Sequence, residues 1–217
     1  MKKPLNLNEW AYQTIKMRIL ENDIRPGSQL NIEELSKELE ISRTPIREAL
    51  LRLRQNGFVV SFSNVGFFVC GISKEDFEDA FELRKLIESY AIVKFVERST
   101  DVEMRILVGI HEKCKLMAAQ GDAKAFNEYD IRLHDLIIDC LGNKKMKLIY
   151  DNLADLLYRL RVYALKSSEN ITQSVVEHDR IILAIESKDA ALAYQAMEQH
   201  IVNVKNRLSQ IVEFEGM

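Results

Sequence analysis

The chain is 217 residues long, 47% hydrophobic and 29% charged, with a formal net charge of −3. That allows one large domain or two small ones with a proper core, and it excludes a disordered polyelectrolyte. No apolar run approaches the roughly 20 residues of a bilayer-spanning helix, so no membrane partner is expected. The opening "MKKPLNLNEW" has two lysines but no apolar stretch, which reads as no secretory signal. Cys70, Cys114 and Cys140 form no CxxC pair and are expected as free thiols in a reducing cytoplasm.

Breakers and charge divide the chain at one place. Pro4, Pro26 and Pro45 all precede residue 46, and after Gly71 there are four glycines and no proline. The remainder should therefore be almost wholly helical. Residues 1–70 hold 10 Lys/Arg against 8 Asp/Glu, whereas residues 71–217 hold 20 against 25. A basic head of net +2 on an acidic body of net −5 hints at a head that meets a polyanion.

In the head, Ala11, Ile15, Ile19 and Leu20 recur at helical spacing between Asn8 and Leu20. Pro26-Gly27 breaks the chain, and "NIEEL" restarts a short helix with Asn31 as N-cap and Glu34 in capping-box position. "SRTPIREALLRLRQNG" begins a third helix capped by Ser42 or Thr44. Pro45 falls in its first turn, Ile46, Ala49, Leu50 and Leu53 form its buried face, and Gly57 is its stop. "FVVSF" and "GFFVC" follow as a β-hairpin, with Asn64 and Gly66 supplying the turn. Three helices and a hairpin make a winged helix-turn-helix, whose third helix enters the DNA major groove.

Arg43 and Arg47 lie one turn apart on that third helix, off its apolar stripe. A solvated basic face would look the same. With a helix N-terminus beside them, they also suit phosphate or guanine edges.

The head resembles the N-terminal domain of GntR-type bacterial transcription regulators over about Trp10–Val69, most specifically in "SRTPIREAL". The resemblance implies that Arg43, Thr44 and Arg47 meet double-stranded operator DNA, with Gly66 at the wing tip in the minor groove. Glu33 stands where some members carry a basic residue, so a phosphate contact from that position does not carry over.

The body, residues 72–217, reads as six helices in an antiparallel bundle, at about 73–99, 101–120, 122–141, 143–166, 171–187 and 189–213. The fold class is thus mainly α, a winged helix-turn-helix at 1–71 followed by an all-helical bundle. On inward stripes lie Asp130 and His134, four residues apart, together with His178 and His200. Counted from a turn at Lys188, His178 is 10 residues before and His200 12 after. At about 1.5 Å per residue the two imidazoles reach similar heights on adjacent helices. Hydrogen-bonded core histidines would satisfy the pattern; a divalent cation would resolve all four groups at once. His111, between Ile110 and Glu112, reads as a flank residue. Arg84 sits on the stripe Phe77, Ala80, Phe81, Ile87, Ala91, Phe95, either as a structural salt bridge or as a clamp for a carboxylate.

"YDIRLHDLII", "EHDRII" and "EQHIVNV" resemble the FCD ligand-binding domain of the FadR-type branch, over about Asp76–Leu208. Many members hold a metal through one Asp and three His, which Asp130, His134, His178 and His200 match. The resemblance implies a small carboxylic or sugar acid effector on that metal. Zinc or nickel stand first for this ligand set, with manganese or iron as alternatives. The function expected is a ligand-responsive regulator acting as a homodimer on two half-sites. The alternative is a metal-dependent hydrolase-like enzyme fused to a DNA-binding head, although no HExxH motif is present and only Glu177 adjoins a candidate ligand.

Overall fold

A computed structural model describes residues 6–63 and 65–214. Among them are nine helices and one three-stranded sheet. The chain falls into two compact units: one runs up to Lys74 and includes Glu213 and Phe214, and the other spans Glu75–Val212.

The first unit packs α1 (Leu7–Leu20), α2 (Ile32–Glu38) and α3 (Arg43–Gln55) against the sheet β1 (Gln29–Leu30), β2 (Val59–Phe62) and β3 (Gly66–Val69). Asn31 caps α2 by accepting from the amides of Glu33 and Glu34. Ser42 is the N-cap of α3 but makes no side-chain cap bond, leaving the amides of that end free. Gly57, at φ +75°, ends α3. Its amide donates to Arg54 and that of Phe58 to Leu53, so the chain turns directly into β2.

The hairpin pairs Val59 with Val69 and Phe62 with Gly66. Residue Asn64, expected in its turn, lies outside the described residues, as does Pro4. The two-residue β1, which pairs with β3, was not expected; it is too short to carry a period. Gly66 adopts φ +126°, and a Cβ there would sit 3.1 Å from the Gln29 side chain, which itself donates to Val65 O at 2.8 Å. Glycine is therefore required where β1 braces the wing.

The second unit comprises α4 (Lys74–Arg98), α5 (Asp101–Gln120), α6 (Ala123–Asp139), α7 (Lys144–Ala164), α8 (Ser168–Glu186) and α9 (Ala190–Leu208). Each boundary has a chemical cause. Thr100 and Glu103 form a reciprocal capping box at α5, Gly121 in the left-handed region ends it, and Asp122, Asn143, Ser167 and Asp189 cap the next four helices. The last helix stops at Leu208 rather than near 213. Phe77, Phe81, Ile92, Phe95, Leu133 and Ile137 are among the fully buried side chains of this unit. Among the described residues no helix is long and apolar enough to cross a membrane.

Candidate functional site

On the head, the stripe Ile46, Ala49, Leu50, Leu53 is buried, and Arg43, Thr44 and Arg47 point into solvent. Arg47 makes no hydrogen bond or ion pair with another described residue, so its guanidinium is free for a partner. Arg43 instead reaches back to Glu33 on α2, an ion pair absent from the sequence reading. Further along α3, Arg52 stacks 3.8 Å from the Tyr12 ring centre and pairs with Glu9, while Arg54 donates to Ser61 on the wing. These two cations brace the unit. The wing from Val59 to Cys70 carries no charged residue, so the cationic face belongs to α3.

In the bundle, α6, α8 and α9 bring His134, His178 and His200 together. Each is at most 2% exposed, and one donor atom from each lies within 4.8 Å of the others. The ring centres of His178 and His200 are 4.6 Å apart, in keeping with their equal heights about the Lys188 turn. Asp130 joins them from one turn before His134. Its Oδ1 is 3.6 Å from His178 Nε2 and 3.9 Å from His134 Nε2, and its Oδ2 accepts from Arg161 Nε at 2.9 Å.

Around this centre stands a layer of buried charge. Arg84 Nε donates to Glu88 Oε1 at 2.7 Å, and its Nη2 lies 3.3 Å from His134 Nε2. Arg84 is therefore paired within its own helix, and it also touches a candidate ligand. Tyr150 donates to the same Glu88 oxygen at 2.9 Å, and Glu88 Oε2 approaches His134 Nδ1 to 2.6 Å at an angle outside hydrogen-bond limits. Glu177 accepts from His200 Nδ1 (2.8 Å), from Asn203 and twice from Arg207.

Burial alone would raise these carboxyls, but the surrounding cations outweigh it. Arg84 and His134 hold Glu88 well below its ordinary range, and His134 and Arg161 do the same for Asp130. The bonds from His200 and Arg207 pull Glu177 down to about 2. Burial lowers His178 well below the usual imidazole value, and it lowers His200 too, against the pull of Glu177. These two imidazoles are thus neutral, the form that ligates metals.

Both nitrogens of His178 and Nε2 of His200 are buried without a hydrogen-bond partner. Each such nitrogen costs about 1–3 kcal/mol if nothing meets it. The neutral imidazoles of His178 and His200, with His134 and the Asp130 carboxylate converging on the same buried centre, fit a divalent cation of the zinc or nickel kind. Arg84, Asp130, Arg161 and His200 also line a cavity of about 40 Å³, room for a few waters or a small polar group.

Four participants were overlooked or misjudged in the sequence. His111 is a correction: it is 1% exposed, with Nε2 2.7 Å from Asp179 and its ring 6.0 Å from that of His178. Its charged neighbours suggested a flank, but the spacing Leu107, His111, Cys114 puts it on the inner stripe. Glu88 lies one turn after Arg84 on the stripe already identified, and Arg161 lies one turn after Leu157. Glu177 faces His200 across the α8–α9 seam, which no spacing within α8 reveals.

Comparison with known proteins agrees with both units. Residues 7–69 match the model of the bacterial regulatory proteins of the gntR family, and residues 79–203 match the FCD domain. The gluconate operon transcriptional repressor of Bacillus subtilis (strain 168) is 26% identical over 206 residues, covering 93% of this chain and 84% of its own. Among solved structures, E. coli McbR/YncC superposes with a TM-score of 0.75 at 19% identity, covering 95% of this chain and 99% of its own. The metal-free FCD domain of TM0439 does so at 0.56 and 21% identity, covering 64% and 96%. The two matched domains, the exposed arginine face and the relatives, all regulators rather than enzymes, lead to one assignment: the chain belongs to the GntR family of bacterial transcription regulators, in the branch carrying an FCD domain.

Proposed function

We propose that this regulator senses a small organic acid through a divalent metal ion held by Asp130, His134, His178 and His200. The observation that carries the reading is the convergence of three buried imidazoles, among which both nitrogens of His178 and Nε2 of His200 lack protein partners. An ion bound there supplies concentrated positive charge and open positions for an acid oxygen. Arg84, on the wall of the same cavity, is the group to grip the acid's carboxylate. A carboxylic or sugar acid suits this chemistry, and one relative is named for the gluconate operon.

The output is DNA binding by the head, residues 1–71, within the cytoplasm. Arg43, Thr44 and Arg47 read the major groove, Gly66 brings the wing backbone close to the minor groove, and a homodimer spans two half-sites. The acid acts by favouring one arrangement of the heads over another.

Elemental analysis by ICP-MS tests the sensor half. Wild-type protein should carry about one metal ion per chain, and His134→Ala should carry far less while still binding operator DNA. Full occupancy in His134→Ala would remove the ligand assignment.

A further inference from the structure

A neutral imidazole has one N–H and one lone pair, and its neighbours decide which nitrogen holds which. For His200 the decision comes from Glu177. Its two oxygens already accept from the donors of Asn203 and Arg207, so at the 2.8 Å contact the carboxylate is the acceptor and His200 Nδ1 carries the proton. The lone pair then sits on Nε2, which is buried and has no hydrogen-bond partner in the protein.

His134 reaches the same state by a different route. Its Nε2 lies 3.3 Å from Arg84 Nη2, and a guanidinium can only donate. His134 Nε2 is therefore the lone-pair nitrogen, which leaves the proton on Nδ1, facing Glu88 Oε2 at 2.6 Å. His178 differs from both, since neither of its nitrogens has a hydrogen-bond partner.

From this geometry we infer that Glu177 is a positioning residue, which fixes His200 as the Nδ1–H tautomer and aims its Nε2 into the shared centre before any ion arrives, while Arg84 selects the same tautomer of His134. His178 is the ligand left to adjust. The inference rests on the metal reading above and deepens it. It also gives Glu177 a role its place beside His178 did not suggest. Its two oxygens are taken by His200, Asn203 and Arg207, so it orients a neighbour's imidazole and is not a free base for water.

Long-range ¹H–¹⁵N correlation spectra of metal-stripped, full-length protein read the tautomers directly. Wild-type His134 and His200 should both appear as Nδ1–H. In Glu177→Gln, His200 alone should lose that preference, because an amide can donate as well as accept. Competition against a chromophoric chelator should then show Zn²⁺ affinity reduced roughly 10–100-fold. Should Glu177→Gln unfold without metal, Glu177→Asp keeps a carboxylate and should retain the Nδ1–H signal. An Nε2–H His200 in the wild type, or a Zn²⁺ affinity in Glu177→Gln within roughly threefold of wild type, would overturn the inference. No Zn²⁺ uptake by wild type with the tautomers as stated would overturn only the metal reading.

Discussion

Arginine serves opposite ends in the two units. On α3, Arg43 keeps 69% of its side chain exposed and Arg47 has no partner among the described residues, so charge is held in water for a polyanion. In the bundle, Arg84 and Arg161 are 4% and 13% exposed, and each is tied to a carboxylate. The head keeps its cations at the surface and leaves Arg47 without a partner among the described residues; the body buries its cations against carboxylates and leaves imidazole nitrogens unmet. Unsatisfied chemistry thus marks the binding surface in both, but burial decides its kind. An exposed charge attracts at long range, whereas a buried lone pair favours a small cation that fits.

The largest test of this contrast is Arg161→Met. Removing one member of a buried pair strands Asp130, which should cost about 3–5 kcal/mol of bundle stability. Urea denaturation of metal-stripped protein measures it; a loss below about 1 kcal/mol would mean the pair behaves as a surface one. Arg47→Ala should instead leave the urea midpoint and metal content unchanged. Operator affinity in an anisotropy titration should fall by about 1–3 kcal/mol, roughly 10–100-fold, and unchanged affinity would take Arg47 off the DNA.

Acid sharpens the comparison further. Folding lowers the proton affinity of His178 and His200, whereas the unfolded imidazoles titrate near 6.5. The unfolded chain then binds more protons, so metal-stripped protein should be fully stable above pH 6.5 and weaken as pH falls below it. The slope should approach about 1.4 kcal/mol per pH unit for each histidine. A urea midpoint flat between pH 7.5 and 5 would contradict the burial of neutral imidazoles. The smallest effect belongs to Glu33→Gln, which releases Arg43 from an exposed pair worth about 0–1 kcal/mol. Stability should barely move, and base preference at the position read by Arg43 should relax in a binding-site selection.

The fold was legible because local rules agree along the chain. Ile46, Ala49, Leu50 and Leu53 mark the buried face of α3, and Gly57, Gly121, Asp122 and Asp189 punctuate helices where they must. Of the candidate site, the four inward groups were readable because each sits on a stripe of period 3.6. His111 is on such a stripe too, but the charged Glu112 and Lys113 beside it mask the period.

Sequence by itself thus determined the nine helices among the described residues and the hairpin, most of their inward faces, the cationic helix and the inward quartet of Asp130, His134, His178 and His200, since these depend on residue type and spacing along one element. Only the tertiary structure decided which atoms meet. It paired Arg43 with Glu33, stationed Arg161 on Asp130, and backed His134 and His200 with Glu88 and Glu177. The reason is physical: which side chains face one another depends on how helices are rotated and set against each other, which the sum of many packing contacts fixes and no single stretch encodes.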